Sequence, residues 1–101
     1  MNEKKLFDAP VALSQYNVQQ AFYQKDDGIE YHETDKGVKL FATVDELPGR
    51  RVNFWMPKSL MVKADGHDAY THVKYSGLSF LKENIAKSIK SINARGNNAK
   101  Q

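Results

Sequence analysis

Residues 78–92 read LSFLKENIAKSIKSI, and they form the clearest structural pattern in the chain. The leucines and isoleucines of this stretch recur at steps of three and four residues, which places them on one face of an α-helix. The residues on that face are Leu78, Leu81, Ile85, Ile89 and Ile92. The pattern predicts an amphipathic helix from about 78 to 93, with Gly96 just past its end.

The residues before this helix alternate in polarity, as strands do, and turn signals separate them. Lys25-Asp26-Asp27-Gly28 and Asp35-Lys36-Gly37 are typical of tight hairpin turns, and Pro48-Gly49 is typical of a loop. The fold class that we expect is therefore α+β, with an antiparallel β-meander of four to five strands followed by one C-terminal amphipathic helix. The expected strands are 16–24, 29–34, 38–44, 51–56 and 70–75.

Two other architectures are compatible with these patterns. Five strands also fit an OB-like barrel, the partly open barrel of oligonucleotide-binding domains. Pro10 is a favourable first residue of a helix, and the period of residues 11–24 fits a helix as well as a strand. A helix in that segment would make a winged-helix module the second alternative.

The length and the composition of the chain indicate one domain over residues 1–101. The chain is 41% hydrophobic, which is enough for a single core. We expect an ordered core over about 10–95, a short flexible N-terminus and a basic C-terminal tail over 96–101. Because the sequence has no long apolar run, no signal-peptide pattern and no cysteine, we expect a cytoplasmic protein that does not enter membranes.

The charges of the chain are distributed unevenly. Residues 1–49 carry five Lys and Arg against nine Asp and Glu, whereas residues 50–101 carry ten against three. A basic half attracts polyanions, of which nucleic acid is the most common.

If each strand packs its more apolar face against the helix, the opposite face of the sheet carries aromatic and basic side chains together. Nucleobases stack on aromatic rings and phosphates require Lys or Arg beside them, so such a face favours single-stranded DNA or RNA. Duplex binding would require a helix that is free to enter a major groove. The candidate nucleic-acid-binding residues are Lys39, Phe41, Arg50, Arg51, Asn53, Trp55, Tyr70, His72 and Lys74.

The same residues also fit simpler roles. A tryptophan in a strand of a small domain is more often part of the core than a platform for a ligand, and this applies to Trp55. Phe41 would be core if a second layer or a dimer partner covered the outer face. Arg50-Arg51 also fit a solvated loop edge. The lysines of the predicted helix fit an ordinary solvated face. These lysines are Lys82, Lys87 and Lys90.

No pattern in the sequence indicates catalysis, a metal site or a cofactor. His32, His67 and His72 do not have a recognised ligand spacing. No serine has the flanking glycines of a nucleophile elbow, and no glycine-rich loop is suited to phosphates. We therefore expect a binding protein and not an enzyme, with neither metal nor cofactor.

A strand meander followed by one amphipathic helix, over residues 16–93, is similar in outline to the Whirly and coactivator-type single-strand binders. This resemblance of architecture implies a homodimer that grips nucleic acid on a curved sheet, and it assigns no residue. The small size and the basic C-terminal half also fit an accessory replication protein of a phage or mobile element, with a larger replication or host protein as a second partner.

An alternative function is a protein-binding accessory subunit or a small inhibitor of a larger enzyme. In that role Phe41, Trp55 and Tyr70 would be the anchors, because a few aromatic residues supply most of the affinity of many protein interfaces.

Overall fold

Eight short strands and one long C-terminal helix make up the fold, in a computed structural model that describes residues 9–99 and the side chains of residues 9–95. The α+β class and the single C-terminal helix are confirmed for these residues. The strands are β1 (Pro10–Ala12), β2 (Val18–Gln20), β3 (Phe22–Lys25), β4 (Gly28–Tyr31), β5 (Gly37–Thr43), β6 (Arg51–Pro57), β7 (Met61–Val62) and β8 (His72–Lys74). The helix α1 is Leu78–Ala99, and turns of 3₁₀ helix lie at Leu13–Tyr16, Lys58–Leu60 and Tyr75–Gly77.

The described strands form two three-stranded sheets and one separate hairpin, and all of their pairings are antiparallel. The main sheet has the order β2–β5–β6, the second sheet has the order β1–β8–β7, and β3 pairs with β4. Consecutive strands pair at β3–β4, β5–β6 and β7–β8, as a meander requires, but β2 pairs with β5 across the hairpin and β1 pairs with β8. Within the described residues the strands do not close into a barrel.

The predicted strand over 16–24 is instead three pieces. The 3₁₀ turn ends at Asn17, whose φ of 57° is in the left-handed region that Asn tolerates better than most residues. Ala21 then separates β2 from β3, because its N–H donates to the carbonyl of Lys39 while its carbonyl accepts from the N–H of His32. The chain therefore pairs first with β5 and then with β4. The helical alternative for residues 11–24, and the winged-helix module with it, is wrong.

The core lies between the inner face of the main sheet, the second sheet and α1. Strands β5 and β6 contribute every second side chain to the core, as their alternation predicts. Leu81 of α1 is fully buried there, and the isoleucines of the helix pack against the same cluster. The helix runs through Gly96 to Ala99, further than predicted, because glycine inside a helix costs only about 1 kcal/mol relative to alanine. The buried side chains of β5 and β6 are Val38, Leu40, Ala42, Val52, Phe54 and Met56.

One polar side chain in this core joins all three groups of strands. Gln20 of β2 is 2% exposed. Its Nε2 donates to the carbonyl of His32 at 3.0 Å, and His32 comes just after β4. Its Oε1 accepts from the N–H of Tyr70 at 2.8 Å, and Tyr70 comes just before β8. A buried amide with both ends satisfied stabilises the fold, whereas unpaired partners in the core destabilise it.

The hairpin β3–β4 extends from the main sheet and turns at Asp26-Asp27, as predicted. The Lys25 ammonium hydrogen-bonds the Glu30 carboxylate, which raises the pKa of Lys25 and lowers the pKa of Glu30. Because folding lowers the pKa of this carboxyl, the stabilisation from the pair is present above the usual carboxyl pKa and is lost as the pH falls through the lowered value.

Replacement of Gln20 by Met keeps the length of the side chain but leaves the Tyr70 N–H without its acceptor, while the His32 carbonyl keeps its other hydrogen bond, from the Lys39 N–H. We expect a loss of about 1–3 kcal/mol in the free energy of unfolding from the unpaired Tyr70 N–H, measured by urea denaturation. Gln19, the exposed neighbour of Gln20 in β2, provides the control, because Gln19→Met should leave the free energy of unfolding almost unchanged. Hydrogen exchange should also show faster exchange at the Tyr70 amide, and equal stability of the two variants would contradict this role for Gln20.

Candidate nucleic-acid interface

The outer face of the main sheet collects five of the nine predicted binding residues. Strand register pairs Lys39 with Trp55 and Phe41 with Asn53, and Arg51 lies at the start of β6 opposite Thr43. The alternation of β5 and β6 determines this grouping, because their other residues fill the core. The five residues are Lys39, Phe41, Arg51, Asn53 and Trp55.

Trp55 is an exposed residue of this face and not part of the core. Its side chain is 48% exposed. The indole lies over Gly37 of the neighbouring strand, where a Cβ would be only 3.2 Å from the Trp55 Cε3 atom. The absence of a side chain at Gly37 therefore gives the indole room to lie along the sheet, with a ring surface open to a ligand.

Phe41 and Arg51 form a stacked pair beside the indole. The guanidinium carbon of Arg51 lies 4.3 Å from the centroid of the Phe41 ring, which is the geometry of a cation–π contact. Phe41 is consequently only 7% exposed, so its ring is covered and cannot stack on a base. The contact holds the Arg51 guanidinium over the sheet, while the Arg51 side chain remains exposed.

The start of β6 and one side of α1 enclose a cleft of about 370 Å³, which we call the cationic cleft. Its lining contains four cations and no carboxylate. The ion pairs found among the described side chains, Lys25–Glu30 and Lys58–Glu33, both lie outside this cleft. A groove with this lining attracts anions such as phosphate. The residues of the cleft are Arg50, Arg51, Asn53, Asn84, Lys87, Ser88, Ser91, Ile92 and Arg95.

The sequence interpretation includes Arg50, Arg51 and Asn53 but misses the helix residues of the cleft. The sequence pattern places Lys87 on a solvated helix face and gives no role to Arg95. The helical period is the feature of the sequence that groups these residues, because residues 87, 88, 91 and 95 recur on one side of α1, next to its apolar face. The period alone does not show that this side lies against β6.

Tyr70, His72 and Lys74 lie away from the outer face of the main sheet. His72 and Lys74 belong to β8 in the second sheet, where they pair with Ala12 and Pro10. Tyr70 packs against the core. The structure therefore separates these three predicted residues from Trp55, because the chain enters a different sheet after β6.

Three comparisons with known proteins give no relative, since no family model, no curated protein and no solved structure matches this chain. Within residues 9–99 no helix is both long and apolar enough to cross a membrane. The described part of the chain also contains no group of three or more His, Asp or Glu side chains arranged to hold a metal ion. Function is therefore inferred from the two surfaces described above.

The exposure of Trp55 predicts that its side chain contributes little to stability. Trp55→Ala should change the free energy of unfolding by under about 1 kcal/mol, whereas truncation of its buried neighbour, Phe54→Ala, should cost about 3–5 kcal/mol. Urea denaturation of the two variants checks this difference. A large loss for Trp55→Ala would show that the indole is a structural residue.

Proposed function

We propose that this chain binds single-stranded nucleic acid, DNA or RNA, with phosphates in the cationic cleft and bases on the outer face of the main sheet. The observation that carries the proposal is the cleft itself, in which Arg50, Arg51, Lys87 and Arg95 meet without a carboxylate. This cleft adjoins the exposed indole through the strand β6, since Arg51 and Asn53 belong to both surfaces.

The spacing along β6 favours a polymer over a single nucleotide. Arg51 and Trp55 are four residues apart, which is about 13 Å at the rise of a strand. A ligand that holds a phosphate at Arg51 and stacks a base on Trp55 must therefore extend along the sheet. Cations supply affinity for its backbone, and stacking contributes about 1–3 kcal/mol per base.

Single strands fit this surface better than duplexes do. A base must be unpaired and turned outward to stack on a lone indole, whereas a duplex keeps its bases stacked on one another. The apolar face of α1 packs on the core, and the helix lies beside β6, so it does not present a free recognition helix to a major groove.

The biological setting that we propose is an accessory replication protein of a phage or mobile element, acting in the cytoplasm. The small size and the basic second half of the chain support this setting, and the lack of cysteine suits a reducing compartment. A larger replication or host protein, and a second copy of the chain, are the further partners that we propose.

A second candidate function is protein binding, and the hairpin β3–β4 favours it. Phe22 and Ile29 are 44% and 51% exposed on this extension. Neighbouring exposed apolar side chains are typical of protein contacts. Salt distinguishes the two functions, because phosphate contacts weaken steeply with ionic strength and an aromatic protein interface does not.

Trp55 is the single tryptophan of the chain, so its fluorescence reports directly on the proposed surface. Titration with oligothymidylate at low and moderate salt should quench this fluorescence, with an affinity that falls as salt rises. A self-complementary DNA that folds into a duplex stem, with the same number of phosphates, should bind more weakly than oligothymidylate does. Equal or tighter binding of the duplex at moderate salt would contradict the proposal.

Two substitutions on α1 test the role of the cleft. Lys87→Ala should lower the affinity for oligothymidylate and reduce the slope of log affinity against log salt by somewhat under one unit, since one phosphate contact is lost. Lys90→Ala removes the same charge from the same helix outside the lining of the cleft and should change the slope less. Identical slopes for the two variants would show that the cleft does not hold the backbone.

A further inference from the structure

A second cleft, of about 380 Å³, lies at the β2 edge of the main sheet, the edge opposite β6, between β2, the hairpin β3–β4 and residues 69–72. We call it the aromatic cleft, because the rings of Phe22, Tyr31, Tyr70 and His72 line it. Phe22 and Tyr31 pack edge to face with their centroids 6.1 Å apart. The volume of the cleft is within the usual range of small-ligand pockets, which begins at about 300 Å³.

A shallow depression on the outer face of the main sheet lies between the two clefts and shares lining residues with each. Arg51 lines both this depression and the cationic cleft. Ser14, Val18 and Gln19 line both the depression and the aromatic cleft. The three depressions therefore lie in a row, along a path from α1 to the hairpin that crosses from β6 to β2 over about 10 Å, which is two strand spacings.

The chemistry of this path changes from one end to the other. The lining of the cationic cleft has four cations, and the covered Phe41 ring holds the Arg51 guanidinium in the depression between the clefts. The lining of the aromatic cleft has no Lys, Arg, Asp or Glu. A backbone phosphate is therefore attracted to the first end, and an uncharged planar ring is suited to the second.

We propose that the aromatic cleft binds a nucleobase of the same strand whose phosphates lie in the cationic cleft. This inference rests on the proposed function and extends it, since a strand held at Arg51 reaches Trp55 along β6 in one direction and crosses β5 toward the hairpin in the other. The base stacks on the aromatic rings, and the side chains of Ser14 and Gln19 supply hydrogen-bonding groups for its edge. The amide of Gln20 is already bonded to the backbone at His32 and Tyr70, so it shapes the cleft and does not contact the base.

Two exposed phenylalanines provide a matched pair of variants. Phe22 lies in the aromatic cleft and is 44% exposed, whereas Phe80 lies on α1 outside all three depressions and is 43% exposed. Phe22→Ala should weaken the binding of oligothymidylate about 5- to 150-fold, the equivalent of about 1–3 kcal/mol per stacked base. Phe80→Ala should leave the affinity unchanged.

Photocrosslinking of the wild-type chain tests the same inference without a substitution. An oligothymidylate with one 5-iodouracil, placed at each position in turn, should crosslink to Phe22, Tyr31, Tyr70 or His72 from at least one position. Crosslinks at Trp55 alone, together with normal affinity of Phe22→Ala, would overturn the inference and leave the proposed function standing. A wild-type chain that binds no oligothymidylate would overturn both.

Discussion

The two hydrogen bonds of the Gln20 amide join the three groups of strands at one buried point, beside the backbone hydrogen bonds that link Ala21 and His32 to Lys39. None of these groups has more than three strands, and two-stranded hairpins are marginal in water unless they pack on something else. Gln20 fastens the end of the hairpin at His32 and the start of β8 at Tyr70 to the main sheet. The aromatic cleft lies at this junction, so the same contact that stabilises the fold also forms the proposed base-binding site.

The uneven charge of the sequence becomes a spatial separation in the structure. Acidic side chains mark the hairpin, with Asp26 and Asp27 at its turn. The basic half of the chain contributes β6 and α1, which enclose the cationic cleft. A single-stranded polyanion approaching this molecule is therefore repelled from the hairpin turn and attracted to the cleft, which orients it before contact.

Much of the fold and part of the interface follow from local patterns. The apolar face of α1 and the alternation of β5 and β6 are regular, so the sequence predicts that Arg51, Asn53 and Trp55 share a face. Strand alternation does not show whether a second layer covers that face, so it cannot predict whether the Trp55 side chain is exposed.

The missed features depend on contacts between residues distant in sequence. The break at Ala21 follows from its hydrogen bonds to Lys39 and His32 and not from any local turn signal. Phe41 is covered because Arg51 reaches across from the next strand. Alternation also cannot show that Tyr70 and His72 enter a second sheet, or that the side of α1 bearing Lys87 lies against β6.

The most direct measurement is an NMR titration of the labelled chain with oligothymidylate, following the backbone amides. Phosphates in the cationic cleft predict the largest shift changes in β6 and in the Lys87–Arg95 part of α1, with smaller changes at residues 14–19. The amides of the hairpin turn at Asp26-Asp27 and of β7 should not move. Shifts confined to the hairpin, or no shifts at low salt, would contradict single-strand binding by this surface.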